Sequence, residues 1–254
     1  MIVIGFDTAT QATAVGLRLA DGGTLTARDD PAEGAHPGHA TRLLEMASEL
    51  LEQARLEWSE LERIAVGLGP GRFTGLRVGI ATARGLAQSL SLELVGVSSL
   101  HALALGAIGE GSEHRAGAPN ATIAVIDARR REAFAAAYVD GAKFEFPRAL
   151  RPPELEDLPA EIGRCGGPPE VRWRAVGDGA LLYADELTAA GIEVLALDSP
   201  LHLIDGAAVC ELGALATAHD ARDPLATILP DYRRSPDASV ARGTSQPALG
   251  ASRA

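Results

Sequence analysis

Apolar positions at the start of the chain fall into three short runs, Ile2–Phe6, Thr13–Leu19 and Thr24–Arg28, which predict strands. The turn ADGG separates the second run from the third, and its Asp21-Gly22 pair suits a hairpin because glycine accepts positive φ. The period then changes. In HATRLLEMASELLEQARLEW, Leu43, Leu44, Ala47, Leu50, Leu51 and Ala54 share one helical stripe, predicting an amphipathic helix from His39 to Trp58. A buried strand RIAVGLG, a second helix, a strand LELVGV and a third helix from Ser98 complete the order βββαβαβα.

After the polar bridge GEGSEHRAGAPN the pattern starts again, with strands Thr122–Ile126 and Ala133–Val139, a turn at Asp140-Gly141 and a strand Lys143–Phe146. Asp7 ends the first strand fourteen residues before Asp21-Gly22, and Asp127 ends its strand thirteen before Asp140-Gly141. One hairpin plan is used twice. A strand RAVGD, a helix after GDGA, a strand IEVLAL and a helix IDGAAVCELGALATAHD follow, interrupted by a Pro-rich excursion from Pro147 to Pro169. Two α/β lobes, each opening with a hairpin and an Asp at the end of its first strand, form the plan of the actin, sugar-kinase and Hsp70 (ASKHA) architecture. A cleft between the lobes is then the default ligand site. The expected division is an N-terminal ribonuclease H-like lobe over 1–109, a C-terminal one over 110–234 and a disordered tail over 235–254, which is rich in Ser, Ala, Pro and Gly without periodicity.

Charge narrows the partners. With Lys plus Arg at 23 and Asp plus Glu at 34, the formal charge of −11 argues against a direct grip on a nucleic-acid backbone, so any RNA connection should run through a partner. Cys165 and Cys210 stand far apart, without a CxxC pair or a His neighbour, so neither a disulfide framework nor a zinc site is expected. The first residues lack a basic leader and a cleavage site, and no run has the length of a membrane span. A soluble, cytoplasmic protein is expected.

The segment GLGPGRFTGLRVGIATARGLA, Gly67 to Ala87, resembles a phosphate loop but lacks the letters of one. No Lys follows the glycines as a P-loop requires, and Gly69, Gly71 and Gly75 give GxGxxxG instead of the dinucleotide GxGxxG. What remains is a strand, a Gly-Pro-Gly turn and a helix whose first amides could attract an anion. Within that helix Gly75, Gly79, Ala83 and Ala87 recur every four residues and leave one face nearly free of side chains. Interior glycines cost about 1 kcal/mol each relative to Ala, so the face predicts a compensating close contact, with this chain's own sheet or first helix or with a helix of another subunit.

Asp7, Thr8 and Thr10 could position a metal and phosphate, or the hydroxyls could satisfy turn amides, and Ala9 occupies the place where a kinase of this architecture wants Gly. Across the cleft DARRRE places Arg129, Arg130 and Arg131 beside Asp127, able to hold a phosphate or a partner's carboxylate, or to be a solvated charge run. Gly177 and Gly179 of GDGA supply a second glycine turn. His36 and His39 lack a third ligand, the other histidines stand alone, and no GxSxG, HExxH or Cys-His arrangement occurs. No metal site and no catalytic residue are expected.

Together GFDTATQATAVGL, GLGPGRFTGLRVGIATARGLA, LVGVSSLHALA, VIDARRREAFAAAY and PDYRRSPDA resemble the TsaB (YeaZ-type) family of the bacterial tRNA threonylcarbamoyladenosine machinery, along most of residues 1–235. The resemblance implies an ASKHA fold and a non-catalytic dimerisation or scaffold subunit that supports the TsaD transferase, with the small ATPase TsaE, in modifying the adenosine beside the anticodon. TsaD's HxxxH metal pair corresponds here to Ser99 and Leu103. Pairing with TsaD, or with a second copy, is expected through the helices of 39–58 and 74–90, with Leu43, Met46, Leu50, Thr74, Gly75, Arg77, Val78, Gly79, Thr82, Ala83 and Leu86 as contact positions. No cofactor is required on this reading, although weak ATP or ADP binding at the cleft or subunit interface stays open, with Asp7, Thr8, Thr10, Asp127, Gly177 and Gly179 as vestigial nucleotide ligands. tRNA would be met only through the complex, and no membrane is involved. The rival reading is an ASKHA ATPase or phosphotransferase acting alone through Asp7, Asp127 and the Gly177 turn. A metallopeptidase comes third, without its motifs.

Overall fold

The computed structural model describes residues 1–32, 34–108, 121–140, 142–143, 148–164, 171–216 and 228–233. The chain begins with β1 (Val3–Asp7), β2 (Thr13–Arg18) and β3 (Thr24–Asp29), continues through α1 (His39–Ala54), β4 (Arg63–Gly67), α2 (Phe73–Leu90) and β5 (Glu93–Val97), and reaches α3 (Ser99–Gly106). The five strands form one sheet in the order β3-β2-β1-β4-β5, with β1 antiparallel to β2 and parallel to β4.

The second half supplies β6 (Ala121–Arg129), β7 (Glu132–Val139), β8 (Ala142–Lys143) and β9 (Arg148–Leu150), then α4 (Pro152–Glu156), α5 (Leu158–Arg164), β10 (Trp173–Val176), α6 (Asp178–Leu182), α7 (Ala184–Ala189), β11 (Glu193–Val194) and α8 (Gly206–Leu215). Its sheet runs β8-β7-β6-β10-β11, with β9 also on β7. Here β6 is antiparallel to β7 and parallel to β10, the same pairing scheme as β1 with β2 and β4. The shared strand order makes the molecule a duplicated α/β structure of the ASKHA type.

The last helix of each half packs on the other half's sheet. α8 lies on β1, β2 and β4, while α3 lies on β6 and β7. The two meet in a shared core of Val3, Leu103, Tyr138, Ile204 and Val209. Crossing of α8 over β2 is possible because glycine faces glycine: a Cβ on Gly16 would stand 2.3 Å from the Gly206 carbonyl oxygen. On the other face of the first sheet, Ile4, Phe6, Leu43, Leu50 and Ile80 join α1 and α2 to it. Covered on both faces, β1 is buried throughout, and a strand buried on two sides reads as a continuous apolar run.

Several element boundaries differ from the sequence expectation. The first helix stops at Ala54, where Arg55 takes φ 58° and its amide turns back to the Glu52 carbonyl. IEVLAL is a strand only at Glu193–Val194, because its partner β10 is itself four residues long and a 3-10 turn begins at Pro200. The Pro-rich excursion is structural over 148–164: Leu150, Leu155, Leu158 and Ile162 complete the second lobe's own core. Gly141, Phe146, Cys165, the 109–120 bridge and the 235–254 tail lie outside the described residues.

Candidate functional site

Asp7 is held at the end of β1 by three parts of the chain. Its Oδ1 accepts the Ala9 amide at 2.7 Å and its Oδ2 accepts the Ser99 hydroxyl at 2.5 Å. From β4, a Cβ on Gly67 would come within 1.9 Å of Oδ2, so only glycine fits there. The carboxyl is 2% exposed, and burial pushes its pKa up against the opposing pull of the Ser99 and Ala9 bonds. Asp7 therefore has no open face for a metal or phosphate, which corrects its assignment as a nucleotide ligand. Thr8 is buried as well, its hydroxyl donating to the Gly75 carbonyl at 2.8 Å, and the Thr10 carbonyl engages the His39 ring. These hydroxyls and carbonyls serve the fold.

The same turn receives the glycine segment. The Arg72 amide donates to the Ala9 carbonyl at 2.7 Å, and a Cβ on Gly75 would stand 2.0 Å from the Thr8 carbonyl oxygen. One turn on, a Cβ on Gly79 would stand 2.3 Å from the Thr8 hydroxyl. The two glycines of the small-residue face are thus covered by this chain's own Thr8, and Ala83 and Ala87 lie in the first lobe's core. Gly75, Gly79 and Ala83 are buried, and Leu43, Met46 and Leu50 belong to the core between α1 and the first sheet. These six positions are corrected from partner contacts to internal packing. Thr74 and Arg77 are exposed, and Val78, Thr82 and Leu86 are half-buried, so they form with Ala40 and Leu44 an outward ridge along α1 and α2.

In the second lobe Asp127 accepts the Arg129 amide at 2.7 Å and pairs with its guanidinium at 3.3 Å, while the Asp127 amide donates to Asp178 at 3.0 Å. Arg129, Arg130 and Arg131 take φ of 65°, 54° and 62° where β6 turns into β7. Left-handed backbone costs a side-chain-bearing residue about 1 kcal/mol, and all three side chains are exposed. Gly177 and Gly179 are close-packing positions: a Cβ on Gly177, whose φ is 112°, would stand 2.0 Å from the Val125 carbonyl oxygen, and one on Gly179 would stand 2.8 Å from the Ile126 carbonyl carbon. The GDGA turn is pressed against β6, which corrects it as an open phosphate site.

A cleft of about 1050 Å³ does open between the halves, displaced from the vestigial set. Of that set only Asp127 lines it; the remaining walls come from His36, Pro37, His39 and Ala40, from Gly71–Gly75 and Val78, from Ala128, Arg129 and Phe134, and from Asp231–Arg233. His39 is buried in its wall, with Nδ1 at 2.9 Å from the Thr13 hydroxyl, and burial lowers its pKa. Tyr232 stacks on Phe73 at 5.3 Å between centroids, Arg77 lies 3.8 Å over the Phe73 ring, and the Arg77 Nε donates to the Tyr232 hydroxyl at 3.1 Å. Arg72, Phe73, Tyr232 and Arg233 also line the cleft, although none is among the expected site residues; PDYRR, one of the motifs of the family resemblance, is the signal in the sequence that points to the last two. Among the described residues no group of three His, Cys, Asp or Glu is placed to hold a metal. Ser99 and Leu103 are both buried, and burial pushes the Cys210 thiol up to about 12.

A family model described as TsaD, tRNA N6-adenosine threonylcarbamoyltransferase, matches residues 31–145. An uncharacterised Mycobacterium tuberculosis protein is 33% identical over 173 residues, which is 65% of this chain and 72% of that one. The Escherichia coli tRNA threonylcarbamoyladenosine biosynthesis protein TsaB is 36% identical over 140 residues, 54% of this chain and 55% of its own. Alignment to that curated relative therefore spans about half its length, and to one from Mycobacterium leprae 44%. Among solved structures, a Pseudomonas aeruginosa protein described as similar to peptidase YeaZ superposes with TM-score 0.71 at 27% identity, over 92% of this chain and 99% of that one.

Proposed function

The chain belongs to the TsaB (YeaZ) family, and on that premise we propose that it is a non-catalytic scaffold subunit in tRNA threonylcarbamoyladenosine formation. It supports the TsaD transferase, in company with TsaE, where the adenosine beside the anticodon is modified, and it meets tRNA only through that complex, in the cytoplasm. The observation that carries this reading is the sealing of Asp7 by Ser99, Ala9 and Gly67, which removes from the lobe junction the carboxylate that phosphoryl transfer would need. The contact surface for TsaD, or for a second copy, is the α1–α2 ridge of Thr74, Arg77, Val78, Thr82 and Leu86, reduced from the wider set by the burial of its small and apolar members. No cofactor is needed for this role, and the reading does not depend on weak ATP or ADP binding at the cleft or at the subunit interface.

Size-exclusion chromatography with light scattering, on the chain alone and mixed with its own TsaD, with and without ATP, tests the reading. A stable mixed complex and no magnesium-dependent ATP turnover by the isolated chain are expected. Turnover that disappears in Asp7→Asn would establish the ATPase reading instead.

A further inference from the structure

We infer that the interlobe cleft is a socket for an apolar, carboxylate-bearing segment of the protein partner that docks on the α1–α2 ridge. This rests on the scaffold reading and adds what the partner must carry. Charge is the first support. The chain is −11 overall, yet the cleft is lined by Arg72, Arg129 and Arg233 against Asp127 and Asp231. Its two carboxylates are already answered, Asp127 by Arg129 at 3.3 Å and Asp231 by Arg233 at 2.5 Å, while Arg72 has no ion pair among the described residues. A half-buried guanidinium in that state gains from one carboxylate, which it can meet with two parallel hydrogen bonds.

The rest of the lining sets the ligand's body. Phe73, Val78 and Phe134 present hydrocarbon to the same space, which suits apolar side chains better than a phosphate chain whose several charges need several free donors. Continuity is the third support. Ala40, Thr74 and Val78 belong both to the cleft wall and to the ridge, so a subunit seated on the ridge has a segment beside the cleft already.

Calorimetric titration of the intact chain with the transferase subunit from the same organism, at low and at high salt, tests the socket. Arg72→Glu should weaken binding roughly tenfold or more and flatten its salt dependence, while Arg72→Lys, which keeps the charge, should lose only a few-fold. The thermal midpoint of Arg72→Glu should match the wild type, because an acidic residue at the start of α2 complements the helix dipole. Wild-type affinity and salt dependence in Arg72→Glu overturn the socket while leaving the scaffold reading intact. Failure of the wild type to bind at either salt overturns the scaffold reading and the socket with it. ADP binding that is lost in Arg72→Glu, with partner affinity unmoved, assigns the cleft to a nucleotide and also overturns the socket.

Discussion

Asp7 carries a pH dependence whose direction follows from its surroundings. Burial raises its folded pKa above the ordinary 3.8, so the protonated form is favoured in the native state relative to the unfolded chain. Its contribution to stability is therefore fully present below the unfolded pKa and is lost as pH rises through the raised folded value. Asp7→Asn should keep the fold, since a neutral amide can still accept from Ala9 and donate to Ser99. Its thermal midpoint relative to wild type should be highest near neutral pH and should shrink toward zero or below as pH falls. Midpoints for both proteins across acidic to neutral pH check this, and a gap that widens on acidification contradicts the direction. The position of Asp7 at a strand end was legible in the sequence, but its partner was not. Ser99 lies 92 residues further on, and only the register of β1 beside β4, with α3 following β5, brings the two side chains together.

On α2 the periodicity identified a face without side chains and the need for a close neighbour. Spacing states that a surface is small; it carries no information about what meets it. Here the neighbour of its two glycines is Thr8, in the turn that follows β1, which no helical pattern would single out. The same helix supplies a paired test. Gly79→Ala gains about 1 kcal/mol of helix propensity but drives a Cβ to 2.3 Å from the Thr8 hydroxyl, which is committed to the Gly75 carbonyl, so a net loss of about 1–3 kcal/mol is expected. Gly85 is exposed with nothing within 4 Å of a built Cβ, so Gly85→Ala should stabilise by about 0.5–1 kcal/mol. Urea unfolding of the two variants gives midpoints shifted in opposite directions; a shared direction contradicts the packing of Thr8 against α2. The ring of Tyr232, stacked on Phe73, and the Ile228 side chain, buried in the first lobe's core, tie the 228–233 segment down. That contact was illegible from pattern because the segment is too short to have a period.

The duplicated hairpins and the chain order of the first half's elements were readable from the apolar runs and the repeated Asp spacing, whereas the order of strands within each sheet emerges only from their pairing. The exchange of α3 and α8 was not readable either, because a chain-order pattern assigns each helix to the half in which it is written. One consequence is that the proposed division at 109/110 cuts sequence, whereas the packing of Val3, Gly5 and Ala65 depends on a helix from residues 206–215. Residues 1–108 alone should therefore lack cooperative unfolding and well-dispersed amide resonances, and should acquire both when the remainder of the chain is co-expressed. A folded, dispersed 1–108 fragment would contradict the mutual cover. The same exchange bears on synthesis at the ribosome. The first sheet is translated early, but one of its faces waits for the last helix, more than a hundred residues later, which at about 5–20 residues per second is on the order of ten seconds. Throughout that interval the nascent chain presents an apolar sheet face to solvent, so its first half is expected to need protection from aggregation until translation is nearly done.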